Sequence, residues 1–317
     1  MHTLQATELA DLREELRLPA GMWPHFKGGH TGQDRVVVCN NSYDEPEFLG
    51  QRCAGRLAEW DGKGWTVLEE KPFMDAAGRT NLGRAIFANG WDERSAILKV
   101  CVDGQWSRYR LPMASHAYDH GWHTEWTRIR EVETERFLMD CHGIIYELPC
   151  QVYSGRVWGL RPVCQHLKIM PDFCSWMGML VIAGNQTTPN GDTNPLAGQP
   201  QANLWLGHIE DLWSWGKPQG WGGVWRGDPV QPGQASDPFL MTGFDHKVLH
   251  LSHDADRAVS FHIEVDFLGD GSWERYATVR VPGHGYAHHV FPEGFSAHWV
   301  RLVAGKKCRV TAWFVYT

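Results

Sequence analysis

Sixteen residues near the middle of the chain hold its densest set of chemically able side chains. From Ser115 to Arg130 they include His116, His120 and His123, the acids Asp119 and Glu125, the phenol Tyr118, the rings Trp122 and Trp126, and the cations Arg128 and Arg130. Three readings fit. The three histidines in an H-x3-H-x2-H spacing, with Glu125 on the same side of an extended strand as His123, have the donors of a divalent metal site, although the spacing matches no helical zinc motif. A histidine titrating near neutrality, or a carboxyl group, beside an arginine that holds an anion, is the equipment for acid/base chemistry on a sugar, with the indoles as stacking walls. The third reading is a hydrogen-bonded loop that anchors two structural units.

Smaller sets lie on either side. Lys27-Gly28-Gly29-His30-Thr31-Gly32-Gln33 reads as a glycine-rich approach to the first strand, where glycines let a backbone come close to a ligand beside His30. It lacks the lysine and the preceding strand of a phosphate loop. Asn40-Asn41-Ser42-Tyr43-Asp44 offers groups that grip sugar hydroxyls. In Asp140-Cys141-His142-Gly143, His142 is either a strand-end site residue or an ordinary hairpin residue. Gln165-His166, Trp176, Asn185-Gln186, Asn203 and Trp205 add polar and stacking groups near strand ends, and Trp213, Trp215, Trp221 and Trp225 surround a glycine-rich turn as a sugar platform or an apolar plug. The histidines of the last part, His246, His250, His253, His284, His288, His289 and His298, receive no role.

The elements that must position these groups are nearly all strands. A first amphipathic helix is expected from Leu9, Leu12 and Leu16, capped by Thr7 and stopped by Pro19. Strands are expected at 35–40, 55–60, 65–69, 85–89, 96–102, 106–111, 137–141, 144–148, 166–170, 179–183 and 203–207. Asp61-Gly62 and Asp103-Gly104 each place a hairpin turn before a Trp-led strand, about 40 residues apart, which is the period of a β-propeller blade. Residues 20–236 accommodate about five blades. The run rich in Gly and Pro before Pro238 reads as a loop or linker, and 237–317, with a third Asp-Gly step at Asp270-Gly271, reads as a small β-sandwich-like module. The expected class is therefore all-β: an N-terminal amphipathic helix (1–19), a β-propeller of about five blades, and a C-terminal β-sandwich module.

Composition narrows the partners. The 317 residues carry 30 Lys+Arg against 37 Asp+Glu, a net charge of −7, which disfavours nucleic acid. The 43% hydrophobic fraction excludes wholesale disorder, and no run of apolar residues is long enough to span a membrane. Seventeen tryptophans suit both blade interfaces and sugar stacking. Eight cysteines without a CxxC pair read as buried thiols. With no apolar leader, the chain as it stands reads as cytoplasmic, or as periplasmic or secreted if the natural start lies further upstream.

The strings GGHTGQDRVVVCNNSYDE, AEWDGKGWTVLE, HTEWTRIREVETERFLMDCHG, GLRPVCQHLKIMPDFCSW and DPFLMTGFDHKVLHLSH resemble bacterial β-propeller proteins of carbohydrate-degradation settings. More distantly, the architecture is similar to propeller enzymes that cleave rhamnose–uronate linkages. That resemblance implies a funnel site using histidine and arginine. The combined expectation is a carbohydrate-active enzyme, hydrolase or lyase, cleaving a glycosidic bond with acidic sugars slightly favoured; the alternative is a non-catalytic glycan-binding or protein-interaction propeller. Candidate catalytic residues are His30, His120, His123, Glu125 and His142. Candidate substrate-binding residues are Asn41, Tyr118, Trp122, Trp126, Arg128, Arg130, His166, Trp176 and Gln186. No cofactor is expected, a divalent metal on His116, His120 and His123 being the alternative, and the partner is an oligosaccharide or polysaccharide.

Overall fold

The computed structural model describes residues 10–21, 25–41, 55–79, 84–114, 127–133, 135–149, 152, 156–166, 170–190 and 194–317, with the backbone alone for 184–190 and 194–203. The one α-helix among the described residues, α1 (Leu12–Glu15), is one turn long, and the Asp11 carboxylate caps it by accepting from the Arg13 backbone N–H. Leu16, just beyond it, is fully buried, whereas the helix expected over 1–19 is, among the described residues, a single turn with no buried residue, and Leu9 lies outside them. The expected cap, Thr7, lies outside the described residues.

Apart from a 3-10 turn at Ile209–Ser214, the other regular elements among the described residues are strands. The first meander is β1 (Phe26–Gly32), β2 (Arg35–Asn40), β3 (Arg56–Trp60) and β4 (Trp65–Glu69). The second is β5 (Phe73–Gly78), β6 (Ile86–Trp91), β7 (Ala96–Val102) and β8 (Gln105–Leu111). The third is β9 (Arg128–Val132), β10 (Arg136–Cys141), β11 (Ile144–Leu148) and β12 (Arg161–Gln165). A three-stranded fourth follows, β13 (Phe173–Trp176), β14 (Met179–Asn190) and β15 (Asn194–Gly207). The first strands β1, β5, β9 and β13 stand side by side in that order. Successive sheets stack face to face: Val37, Leu57, Phe73 and Ile86 fill the space between the first and second, and Leu138, Ile145, Phe173 and Ile182 that between the third and fourth.

Among the described residues these four sheets stack through their first strands and do not close into a ring, so the expected propeller of about five blades is not seen. The length expected to hold a fifth blade is taken by the long β14–β15 hairpin and by β16 (Gly220–Val230), which leaves for another sheet. The Gly/Pro-rich run is thus corrected from linker to strand over much of its length. Glycine suits it there, because a Cβ at Gly222 or Gly223 would press on Ser95 or on Trp313. Of the expected strand at 166–170, His166 and Met170 belong to no strand and 167–169 lie outside the described residues; the strand here is β12, which ends at Gln165.

The remaining strands are β17 (Phe239–Leu240), β18 (Lys247–His253), β19 (Val259–Asp266), β20 (Glu274–Val281), β21 (Tyr286–Val290), β22 (Trp299–Ala304) and β23 (Cys308–Tyr316). They form two layers, β16-β23-β18-β21 and β20-β19-β22-β17, over a core that includes Leu249, Phe261, Trp299, Leu302 and Phe314. The second layer does not end at β17. That strand pairs in parallel with β8 through Phe239 and Arg110, so the C-terminal layers continue the sheet of the second meander.

Candidate functional site

The side-by-side first strands bring together residues far apart in sequence. The glycine-rich segment around His30 is β1 itself, not a loop before a strand, and its glycines answer a packing need. A Cβ at Gly28 would lie 2.7 Å from both the Met74 carbonyl oxygen and an Asp75 carboxylate oxygen on β5. Two residues on, the His30 imidazole rests on a bed of glycine. A Cβ at Gly78 would be 3.0 Å from His30 Nε2 and one at Gly32 would be 3.3 Å from it.

Beyond His30 a cleft of about 190 Å³ opens, lined by His30, Gly32, Gln33, Asp34, Arg79, Arg84 and Ile86. Its floor is the β1–β2 turn, where Gln33 and Asp34 adopt φ of 52° and 56°, the left-handed pair of a tight hairpin. Gln33 pins this turn to the second blade: its Nε2 donates to the Arg84 and Cys101 carbonyls, and its Oε1 accepts from the Gly104 N–H at 2.9 Å. Arg79 is held from β9 by Glu131 at 3.2 Å. His30 is half-buried, and that desolvation outweighs the attraction of Asp75 and lowers its pKa below the usual histidine value. The ring is therefore neutral at pH 7, with an arginine pair sharing its cleft.

A charged relay runs below this cleft. Asp75 accepts from Arg130 Nη1 at 2.5 Å and from the Ile129 N–H at 3.0 Å, and Arg130 reaches on to Asp172 at 2.8 Å. It joins β5, β9 and the start of β13. Burial works against the Arg130 charge, but Asp172 and Asp75 more than offset it and raise its pKa.

Of the residues singled out in the sequence, His30 and Arg130 belong to this region. Arg128 shares β9 and donates to the Thr127 carbonyl. The others described lie elsewhere. His142 is corrected to a buried hairpin residue: it and Gly143 have φ of 51° and 82°, and its ring packs edge-on against Trp91, away from the cleft lining. His166 is also buried, with Nε2 2.8 Å from Asp140 Oδ1, bracing β12 to β10. Asn41 is buried behind β1, where its N–H donates to the His25 carbonyl. Trp176 is 55% exposed at the β13–β14 turn. His116, Tyr118, His120, Trp122, His123, Glu125 and Trp126 lie outside the described residues, as does the Gln186 side chain. Among the described residues no group of three or more His, Cys, Asp or Glu side chains is placed to hold a metal.

The four tryptophans do not form one platform. Trp215 packs on Trp205, Trp213 carries the Arg161 guanidinium over its ring, and Trp221 and Trp225 belong to β16, with Trp225 against Phe261. Cys39, Cys101, Cys141, Cys164 and Cys308 are buried thiols as expected, while Cys174 is exposed. Burial pushes the Cys164 thiol up to about 12, so it is no nucleophile. Sequence reasoning missed Asp75, Arg79, Arg84 and Asp172. The signal for the arginines was two Gly-Arg steps, Gly78-Arg79 and Gly83-Arg84, either side of a strand break.

No family model and no curated protein sequence matches the chain. Among solved structures, it is similar to an exo-β-1,3-galactanase from Phanerochaete chrysosporium (TM-score 0.29, 7% identity, 94% of this chain and 82% of that one). It is also similar to a glycoside hydrolase family 43 arabinoxylan arabinofuranohydrolase from Bacillus subtilis (TM-score 0.24, 10% identity, 95% and 80%) and to a Trypanosoma rangeli sialidase (TM-score 0.30, 9% identity, 89% and 65%). Likeness at this level carries no argument about activity, which rests on the cleft's own residues.

Proposed function

We propose that the chain is a carbohydrate-active enzyme that cleaves a glycosidic bond in the His30 cleft, acting on acidic sugars. The observation that carries this reading is a half-buried, neutral imidazole sharing a small polar cleft with Arg79 and Arg84. Of the two routes, β-elimination fits better. Hydrolysis normally calls on two carboxyl groups about 5–9.5 Å apart, and Asp34 is the one carboxylate among the described residues lining the cleft. Asp75 is engaged by Arg130 and by a backbone N–H.

In elimination, His30 takes the proton next to the sugar carboxylate while the arginines neutralise the charge that builds on it. The bond to the leaving oxygen then breaks, water protonates that oxygen, and an unsaturated uronate and a new chain end remain.

The test is incubation of the purified protein with acidic and neutral polysaccharides, reading new reducing ends together with ultraviolet absorbance. Both signals rising on acidic substrates, and both lost in His30→Ala, supports the proposal. Reducing ends without absorbance mean hydrolysis. Binding without either signal points to a glycan-binding protein.

A further inference from the structure

The outer face of the β16-β23-β18-β21 sheet takes no part in the cleft and has an unusual composition. Strand register sets side by side Trp221, Val315, Val248 and Val290 in one row, Gly223, Trp313, His250 and His288 in the next, and Thr311, Ser252 and Tyr286 in a third. Residues directly opposite in antiparallel strands point to the same face. The alternate positions, among them Leu249, Leu251, Ala312 and Phe314, are buried in the core. None of the residues named in the three rows is Lys, Arg, Asp or Glu; the charges on this face stand at its end, with exposed Arg226 in the β16 bulge opposite Thr311 and exposed Arg309 two residues from Thr311 on β23.

The rings are arranged as a surface. Trp313 lies across Gly223, where a Cβ would come within 2.8 Å of its Cε3. Glycine at that point lets the indole lie along the sheet rather than stand up from it. His250 and Tyr286 stack at 6.0 Å with 22° between their planes, and Tyr286 stacks on His288 at 6.0 Å and 25°. The His250 Nδ1 and the Tyr286 hydroxyl are hydrogen-bonded at 2.8 Å, Tyr286 is 56% exposed, and His288 is exposed. From β23 to β21 the ring row crosses two strand spacings, about 10 Å.

A protein core partner would demand an apolar face, and an anionic or cationic partner would demand opposite charge. Away from Arg226 and Arg309 at its end, the surface made by these rows has flat rings, ring nitrogens and hydroxyls, and no fixed charge. Its complement is a ligand with apolar C–H faces and many hydroxyls. We propose that this sheet face binds a neutral polysaccharide chain and so holds the protein on a polymer. The site is separate from the His30 cleft and stands whether or not that cleft is catalytic.

Gel retardation of the full chain through galactomannan, hydroxyethyl cellulose or mixed-linkage glucan tests it. Retardation by at least one polymer is expected, falling about tenfold in affinity in Trp313→Ala and in Tyr286→Ala. Because Tyr286 is exposed, its variant folds even if loss of Trp313 disturbs the sheet, and circular dichroism of both checks this. His30→Ala is expected to bind like the parent, which separates failure here from failure of the cleft reading. The proposal is overturned if none of these polymers retards the chain, if both folded variants bind like the parent, or if the same substitutions instead abolish self-association seen by sedimentation.

Discussion

The His30 imidazole, the base we propose, shows how little of such a site resides in the reacting side chain itself. Its neutrality comes from burial, and its position from two glycines, Gly32 on its own strand and Gly78 on β5 beside it. If it is the base, its neutral form is the working one. Because its folded pKa lies below 6.5, activity rises with pH through that lower value and stays level across neutrality. A kcat/KM profile that climbs only above pH 7 sinks the assignment. Replacing the imidazole by Ala is expected to cost about 10²–10⁴-fold in turnover. Gly78→Ala should act through the same ring, since its Cβ would sit 2.5 Å from the Ala85 oxygen and 3.0 Å from Nε2. We expect a lower kcat in that variant, whereas Gly64→Ala, which meets nothing within 4 Å, leaves turnover unchanged.

Among the elements, β1 and β5 decide the geometry of the site, and they are the strands that sequence patterning reads worst. Their residues, Phe-Lys-Gly-Gly-His-Thr-Gly and Phe-Met-Asp-Ala-Ala-Gly, have neither alternation nor β-branched enrichment. They stand at the crowded centre of the stack, where small residues are selected for backbone approach. Strands further out, such as Arg35–Asn40, Ala96–Val102 and Ile144–Leu148, face apolar neighbours and are legible to the residue. Asp75 and Asp172 were invisible for a related reason: each gains its meaning from Arg130, 55 and 42 residues away. A direct check of the crowding argument is Gly28→Ala, whose Cβ would meet the Met74 oxygen at 2.7 Å. It should lower stability by about 1–3 kcal/mol in denaturant unfolding. An unchanged midpoint would mean that β1 and β5 are free to separate.

At the scale of the whole molecule, the blades and the C-terminal layers meet at a buried ion cluster. Arg110, 1% exposed, grips both oxygens of Asp92 at 2.9 Å, and its Nε donates to Asp237 at 2.8 Å, beside the β8–β17 pairing. Arg108 also binds Asp237, and it reaches Glu69 of the first meander. Burial alone would raise the pKa of Asp92 and Asp237, but the arginines outweigh it and hold both carboxyls below the usual range. Carboxyls lowered in this way contribute stability that is full above the unfolded value of about 3.9 and is lost as pH falls through the folded value. The junction should therefore loosen only in strong acid. Arg110→Met reverses this dependence. It leaves Asp92 buried without its bidentate partner, which should cost about 3–5 kcal/mol at pH 7. The carboxyl then gains by taking up a proton, so the stability gap between parent and variant narrows on acidification toward about pH 4. Unfolding midpoints for both chains across that range decide the matter. A gap that is constant with pH would show that Arg110 joins the two parts by packing and not by charge.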